Sequence, residues 1–147
     1  MKADRVVVDT NVLISALLAP QGKPGQTMRT LAASGATLLL SRVTFLELAS
    51  RLARSKFDPY RTTEQMDRYL EWLAELAEWV RPLVRIEDCR DPDDNRFLEV
   101  LLDGDGDLLI TGDSDLLQLH PYEGRPILTP AGFLNNQKGN ANQNQRE

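Results

Sequence analysis

Residues 5–18 read RVVVDTNVLISALL. Val6–Val8 is a β-branched run that stops at Asp9, the pattern of a buried strand, and Val12–Leu18 follows as a helix. Similar units recur along the chain. Thr37–Leu40 (TLLL) is a second buried strand, followed by Ser41, and Leu108–Thr111 (LLIT) is another, ending at Gly112 and Asp113. Strands that alternate with helices imply a parallel sheet covered on both faces. Right-handed crossovers then bring the strand C-termini, and the starts of the helices that follow, to one edge. In open α/β sheets that edge binds ligands.

The intervening segments fill in this plan. Pro20, Gly22, Pro24 and Gly25 read as a loop, and Gln26–Ala33 as a helix ended by Gly35. In VTFLELASRLARSKF, Phe45, Leu48, Ala49 and Leu52 share one helical face. Thr62 and Gln65 offer a capping box for a longer helix with the core stripe Met66, Tyr69, Leu70, Leu73, Leu76, Ala77 and Val80. Val80–Ile86 is expected as a third strand, which Pro82 confines to an edge. Asp91 and Pro92 supply an N-cap and a first helical residue for a helix to about Leu102. Ile127 and Leu128 form a last short strand, and Pro130–Leu134 a final helical turn. The remainder, NNQKGNANQNQRE, has one apolar residue, an alanine. It reads as a disordered polar tail at 135–147, after a single domain at 1–134.

Composition narrows the chemistry. The chain has 147 residues, enough for one compact domain, and its 41% hydrophobic and 27% charged content is that of a globular protein with an ordinary core. One cysteine, Cys89, and one histidine, His120, leave no internal disulfide, no cysteine-based zinc site and no His triad or facial triad of metal ligands. Any metal must be held largely through oxygen. The net charge of −5 argues against a passive, charge-driven nucleic-acid binder but leaves room for an enzyme that offsets phosphate charge with cations. The apolar N-terminal stretch is interrupted by Asp9 and Asn11, which fits neither a signal peptide nor a membrane span. The cytoplasm is the expected location.

Four acids fall at the same predicted edge. Asp9 follows VVV directly, Asp113 follows LLIT by one glycine, Glu47 sits early in the helix after TLLL, and Asp94 lies in the first turn of its helix. Phe97, Leu98 and Leu101 follow Asp94 at i+3, i+4 and i+7, so Asp94 is on the stripe facing the sheet. A carboxylate there must be paired, protonated or bound to a cation. Each acid also has a plainer reading. Asp91 suits helix capping better than metal binding, Asp93 only favours the helix N-terminus, and Glu47 could simply pair with Arg51 at i+4. Asp9 and Asp113 could be ordinary turn acids. Together, however, they lack a structural counter-charge, which a divalent cation would supply.

Taken in order, VVVDTNVLISALL, FLELASRLARSKF, CRDPDDNRFLEV and LLITGDSDLLQL resemble the successive acidic motifs of PIN domains. The closest likeness is to the bacterial VapC-like branch described as toxin components of toxin–antitoxin systems, and it runs from Arg5 to about Leu134. The resemblance implies a three-layer α/β/α fold with a mainly parallel central sheet. It also implies a site of Asp9, Glu47, Asp94 and Asp113 that binds Mg²⁺ or Mn²⁺ and cleaves RNA. Such toxins commonly pair with themselves and with a small antitoxin protein.

Around that site, Thr10, Asn11 and Ser114 are candidate donors that aim the carboxylates. Asp115 is either an outer ligand or, preferably, the cap of the short turn at Leu116 and Leu117. Arg42, Arg51, Arg54, Lys56, Arg61 and Arg90 are candidate RNA-backbone contacts or equally a solvated basic face. LLDGDGDLL departs from the family in carrying Asp103, Asp105 and Asp107, read as a solvated turn at the far edge of the sheet because the closing Glu of a calcium loop is missing. His120 and Cys89 read as incidental. Trp72 and Trp79, seven residues apart on one expected helix, flank its core stripe and suggest either a deeper core or a homodimer contact.

Rivals of other classes fit less well. A haloacid-dehalogenase-type phosphatase needs an Asp where Asn11 stands. A receiver domain needs an acidic pair after the first strand and a lysine after a late one, and both are missing. A non-catalytic PIN-like module that binds RNA or protein is the remaining alternative.

Overall fold

A computed structural model describes residues 4–146 of the chain. Its sheet has five strands, β1 (Arg5–Val8), β2 (Thr37–Leu40), β3 (Ala77–Trp79), β4 (Leu108–Ile110) and β5 (Ile127–Leu128), in the order β3-β2-β1-β4-β5. Every pairing is parallel, with Val6 beside Leu38 on one side and Leu108 on the other. The helices are α1 (Thr10–Leu18), α2 (Lys23–Ser34), α3 (Arg42–Leu52), α4 (Thr63–Leu76), α5 (Asn95–Asp103), α6 (Ser114–Leu117) and α7 (Pro130–Arg146).

The alternation of strand side chains divides the core into two layers. Val6, Val8, Leu38, Leu40, Leu108 and Ile110 pack against α1, α2, α3, α4 and α7 through residues such as Leu13, Met28, Leu48, Leu73 and Phe133. Val7, Leu39, Leu109 and Ile127 face the other way, onto Phe97, Leu98, Val100 and Leu101 of α5 and Leu116 of α6. Strands covered on both faces have no polar side, which is why VVV, TLLL and LLI are unbroken apolar runs. The fold is therefore the three-layer α/β/α arrangement that the sequence implies.

Several local expectations need correction. α4 ends at Leu76, and the third strand is Ala77–Trp79 rather than Val80–Ile86. Ala77 and Val80 thus leave the expected helical stripe, and the strand stops short of Pro82, which has no N–H to donate. Pro24 and Gly25 lie inside the first turn of α2, where proline costs no helical hydrogen bond. Gly25 suits the position because a Cβ there would stand 2.1 Å from the Pro20 carbonyl oxygen. Finally, α7 continues beyond the expected Pro130–Leu134 turn to Arg146. Phe133 and Leu134 anchor its first turns in the core, and no proline follows to stop the helix.

The acidic turn after α5 lies at the N-terminal edge of the sheet, away from Asp9. Its three acids are exposed, and two of them also accept backbone N–H groups. Asp107 accepts the N–H groups of Asp4 and Arg5 at 3.1 and 3.0 Å, and Asp103 accepts those of Leu83 and Val84. No helix among the described residues is long and apolar enough to cross a membrane.

Candidate active site

Asp9 is the first residue past β1, and its backbone N–H still donates to Ile110 of the neighbouring strand at 2.9 Å. Its side chain caps α1, with Oδ1 accepting the Asn11 N–H at 3.1 Å and Oδ2 accepting the Thr111 hydroxyl at 2.6 Å. Asp113 repeats the geometry after β4, accepting the Asp115 N–H at 2.8 Å as the cap of α6. Asp91 does the same for the 3-10 turn Pro92–Asp94 through the Asp93 N–H at 3.1 Å. Three times, then, an aspartate is held by the helical turn that follows it.

Asp94 ends that 3-10 turn and opens α5. Its Oδ2 is buried and has no hydrogen-bond partner. One carboxylate oxygen from each of Asp94, Asp113 and Asp115 lies within 4.8 Å of the others. Asp115 therefore belongs to the cluster, and the expectation that it caps α6 is corrected in favour of Asp113. Asp9 and Glu47 fall outside this tight trio. Asp9 is nevertheless close enough for its charge to act on Asp94 and to feel Asp113 and Glu47.

The electrostatics are those of crowded anions. Burial pushes the Asp94 carboxyl up to about 7, a carboxyl–carboxylate hydrogen bond with Asp113 favours its protonated form further, and the charges of Asp113, Asp91 and Asp9 add to the rise. Burial also raises Asp9, against the lowering effect of the Thr111 and Asn11 hydrogen bonds. Removing water disfavours a charged carboxylate, and a like charge nearby disfavours it further. The Cys89 thiol is raised by its burial, and Asp94, Asp115 and Asp113 push it higher, which leaves it an unreactive filler.

Glu47 is the exception, because it has counter-charges. Its Oε1 pairs with Arg51 at 2.8 Å and its Oε2 with Arg96 at 3.4 Å, and Thr10 donates its hydroxyl to the same Oε2 at 3.4 Å. Arg51 also donates to the Asn11 side chain at 2.8 Å. Thr10 reaches Glu47 with its side-chain hydroxyl, whereas Asn11 reaches Asp9 only through its backbone N–H. Ser114 is exposed and hydrogen-bonds to no carboxylate among the described residues; Thr111 takes that part instead.

Three contributors escaped the sequence reading. Thr111, fully buried, looks like one more strand residue in LLIT, and its role appears only once β1 and β4 are neighbours. Arg96 sits in the third motif, and its partner Glu47 is forty-nine residues away in the sequence. Asn95 is the third. It is buried and ties the loop before α5 together, accepting the Cys89 N–H at 2.8 Å and donating to the Pro92 carbonyl at 3.2 Å. His120 also has a structural task, accepting the Ile127 N–H at 2.9 Å.

A cation fits this donor set. The buried, partnerless Asp94 Oδ2 faces like charges, and an all-oxygen cluster matches hard divalent ions such as Mg²⁺ and Mn²⁺.

Comparison with known proteins gives the same direction. Residues 5–115 match the PIN domain family, whose members are generally nucleases that use divalent metal ions. An uncharacterized protein of Methanocaldococcus jannaschii, MJ1680, is 31% identical over 116 residues, covering 78% of this chain and 74% of the relative. Among solved structures, VapBC2 from Rickettsia felis, bound to a DNA fragment from its promoter, superposes with a TM-score of 0.58 at 13% identity. That match covers 85% of this chain and 98% of the other. PAE2754 from Pyrobaculum aerophilum superposes at 0.57, also at 13% identity, covering 92% of this chain and 90% of its own. At that identity both structures speak for the fold alone.

Proposed function

Since this chain belongs to the PIN-domain family, we propose that it is a Mg²⁺- or Mn²⁺-dependent endoribonuclease acting through Asp9, Glu47, Asp94 and Asp113, with Asp115 as a further ligand. The observation that carries the reading is the partnerless Asp94 Oδ2 within the Asp94, Asp113 and Asp115 cluster. Folding gains nothing from such a cluster, while a divalent cation needs it.

The division of labour follows from the contacts. Asp94, Asp113 and Asp115 each offer an oxygen to a shared point and would hold the ion. Asp9, held by Thr111 and by the Asn11 N–H, presents a fixed carboxylate beside them. Glu47, steadied by Arg51 and Arg96, is the acid placed to orient a water and receive its proton at a carboxylate oxygen. A cation bound there supplies positive charge to the scissile phosphate and acidifies a ligated water. Chain cleavage measured with Mn²⁺, and again with EDTA in excess, tests the proposal.

The R. felis relative is a toxin–antitoxin complex. By that analogy we assign this chain the toxin role, with a small antitoxin protein and a second copy of itself as partners. The two tryptophans do not share a helix as the sequence suggested, because Trp79 lies in β3. Trp72 remains on α4, 42% exposed and stacked on Tyr69 with ring centroids 6.1 Å apart. Beside it Leu76 is equally exposed, so this flank is the proposed homodimer contact.

A further inference from the structure

Beyond the C-terminal ends of β2 and β3 lies a cavity of about 560 Å³, lined by Arg42, Val43, Trp79, Arg81, Arg96 and Glu99 among others. We propose that it is a subsite for one nucleotide of a single-stranded RNA, whose adjoining phosphate then lies over the acidic cluster. The inference rests on the nuclease reading above and deepens it.

The chain carries −5 overall, yet three guanidinium groups meet at this cavity against one carboxylate. That carboxylate, Glu99, already accepts the Ile86 N–H at 2.9 Å. Arg96 is engaged with Glu47 and Asp93. Arg42 and Arg81 make no ion pair and no side-chain hydrogen bond among the described residues. Two unpaired guanidiniums at the mouth of a pocket suit phosphate oxygens, which they grip in a planar fork.

The cavity also has an aromatic wall. Trp79 is 47% exposed but is held firmly. Its indole N–H donates to the Ala74 carbonyl at 3.2 Å, and Phe45 meets it edge-to-face with centroids 5.3 Å apart. A fixed ring beside free arginines is a stacking platform for an unpaired base. A base inside a duplex cannot reach it, so the substrate strand is single there. Arg96 both lines the cavity and contacts Glu47, joining this pocket to the acidic site.

The test uses the full chain in EDTA, so that binding is read without cleavage, with fluorescein-labelled single-stranded decauridylate as the probe. A Trp72→Phe background reports Trp79 fluorescence alone. The expected result is quenching of Trp79 by the RNA. Arg42→Ala with Arg81→Ala should weaken binding about tenfold and flatten its salt dependence, and Trp79→Ala should weaken it similarly. Should Trp79→Ala misfold by circular dichroism, the arginine pair, which is on the surface, decides the matter. Unchanged affinity in that pair, equal binding of a ten-base-pair RNA duplex, or Trp79 fluorescence that follows protein concentration and ignores RNA would each overturn the subsite. The last result would mean that a second copy covers it. The two claims fail separately: an arginine-pair variant that cleaves RNA as wild type does removes the subsite alone, while a wild type that binds through the cavity and never cleaves removes the nuclease alone.

Discussion

The Thr111 hydroxyl donates to Asp9 Oδ2 at 2.6 Å, joining two residues 102 positions apart at the ends of adjacent parallel strands. The bond is buried, and it fixes one oxygen of the acid nearest the centre of the sheet. Thr111→Val keeps the shape and removes the donor, leaving a buried carboxylate oxygen without a partner. The expected cost is about 1–3 kcal/mol, measured by urea denaturation, together with loss of nuclease activity. Thr111→Ser should restore most of both, which a pure packing role for the threonine methyl would not produce.

Asp94→Asn should lower cleavage by roughly a hundredfold or more, since disturbing even the groups that orient metal ligands costs ~10–100-fold. The metal-free variant should be no less stable than wild type, because one of several crowded anions is gone. Clear destabilisation would reveal a structural partner for Asp94.

The same residue gives a pH dependence. Its carboxyl stands near 7 in the fold against an ordinary 3.8, so the folded protein holds that proton more tightly than the unfolded chain. The stabilising contribution is complete below the ordinary value and is lost as pH rises through about 7. Metal-free protein should therefore lose stability across that window, and Asp94→Asn should flatten the slope. Thermal melts at several pH values in EDTA measure it.

Mn²⁺ or Mg²⁺ should raise the melting temperature and EDTA should reverse the rise. At a hundredfold excess over the dissociation constant the gain is about 2.7 kcal/mol. Asp113→Asn is the informative variant, because asparagine still caps α6 but carries no charge. It should melt like wild type in EDTA and respond weakly to metal.

Trp72→Ala should shift a dimer towards monomer in sedimentation at tens of micromolar without unfolding the chain. A monomeric wild type removes the dimer proposal; a variant that unfolds returns Trp72 to the core.

The sequence disclosed most where one local pattern had one explanation. The apolar runs before Asp9 and Asp113 read as buried strands stopping at an edge, and the Thr62 and Gln65 capping box stands where the spacing put it. It was silent where the partner is distant. Nothing near Thr111 reveals Asp9, and nothing near Arg96 reveals Glu47. It misled where two periods compete: Ala77 continues the α4 stripe as well as it begins β3, and pairing with Leu38 settles the choice. Trp79 followed Ala77 into the strand and so acquired a different neighbourhood from Trp72.

On this reading the crowded carboxylates exist to hold a cation for RNA cleavage. The most direct measurement is the release of fragments from a single-stranded RNA by purified wild type and Asp94→Asn, each with Mn²⁺ and with EDTA. Cleavage is expected from wild type with Mn²⁺ only. Cleavage that survives EDTA, or that Asp94→Asn performs as well as wild type, would contradict it.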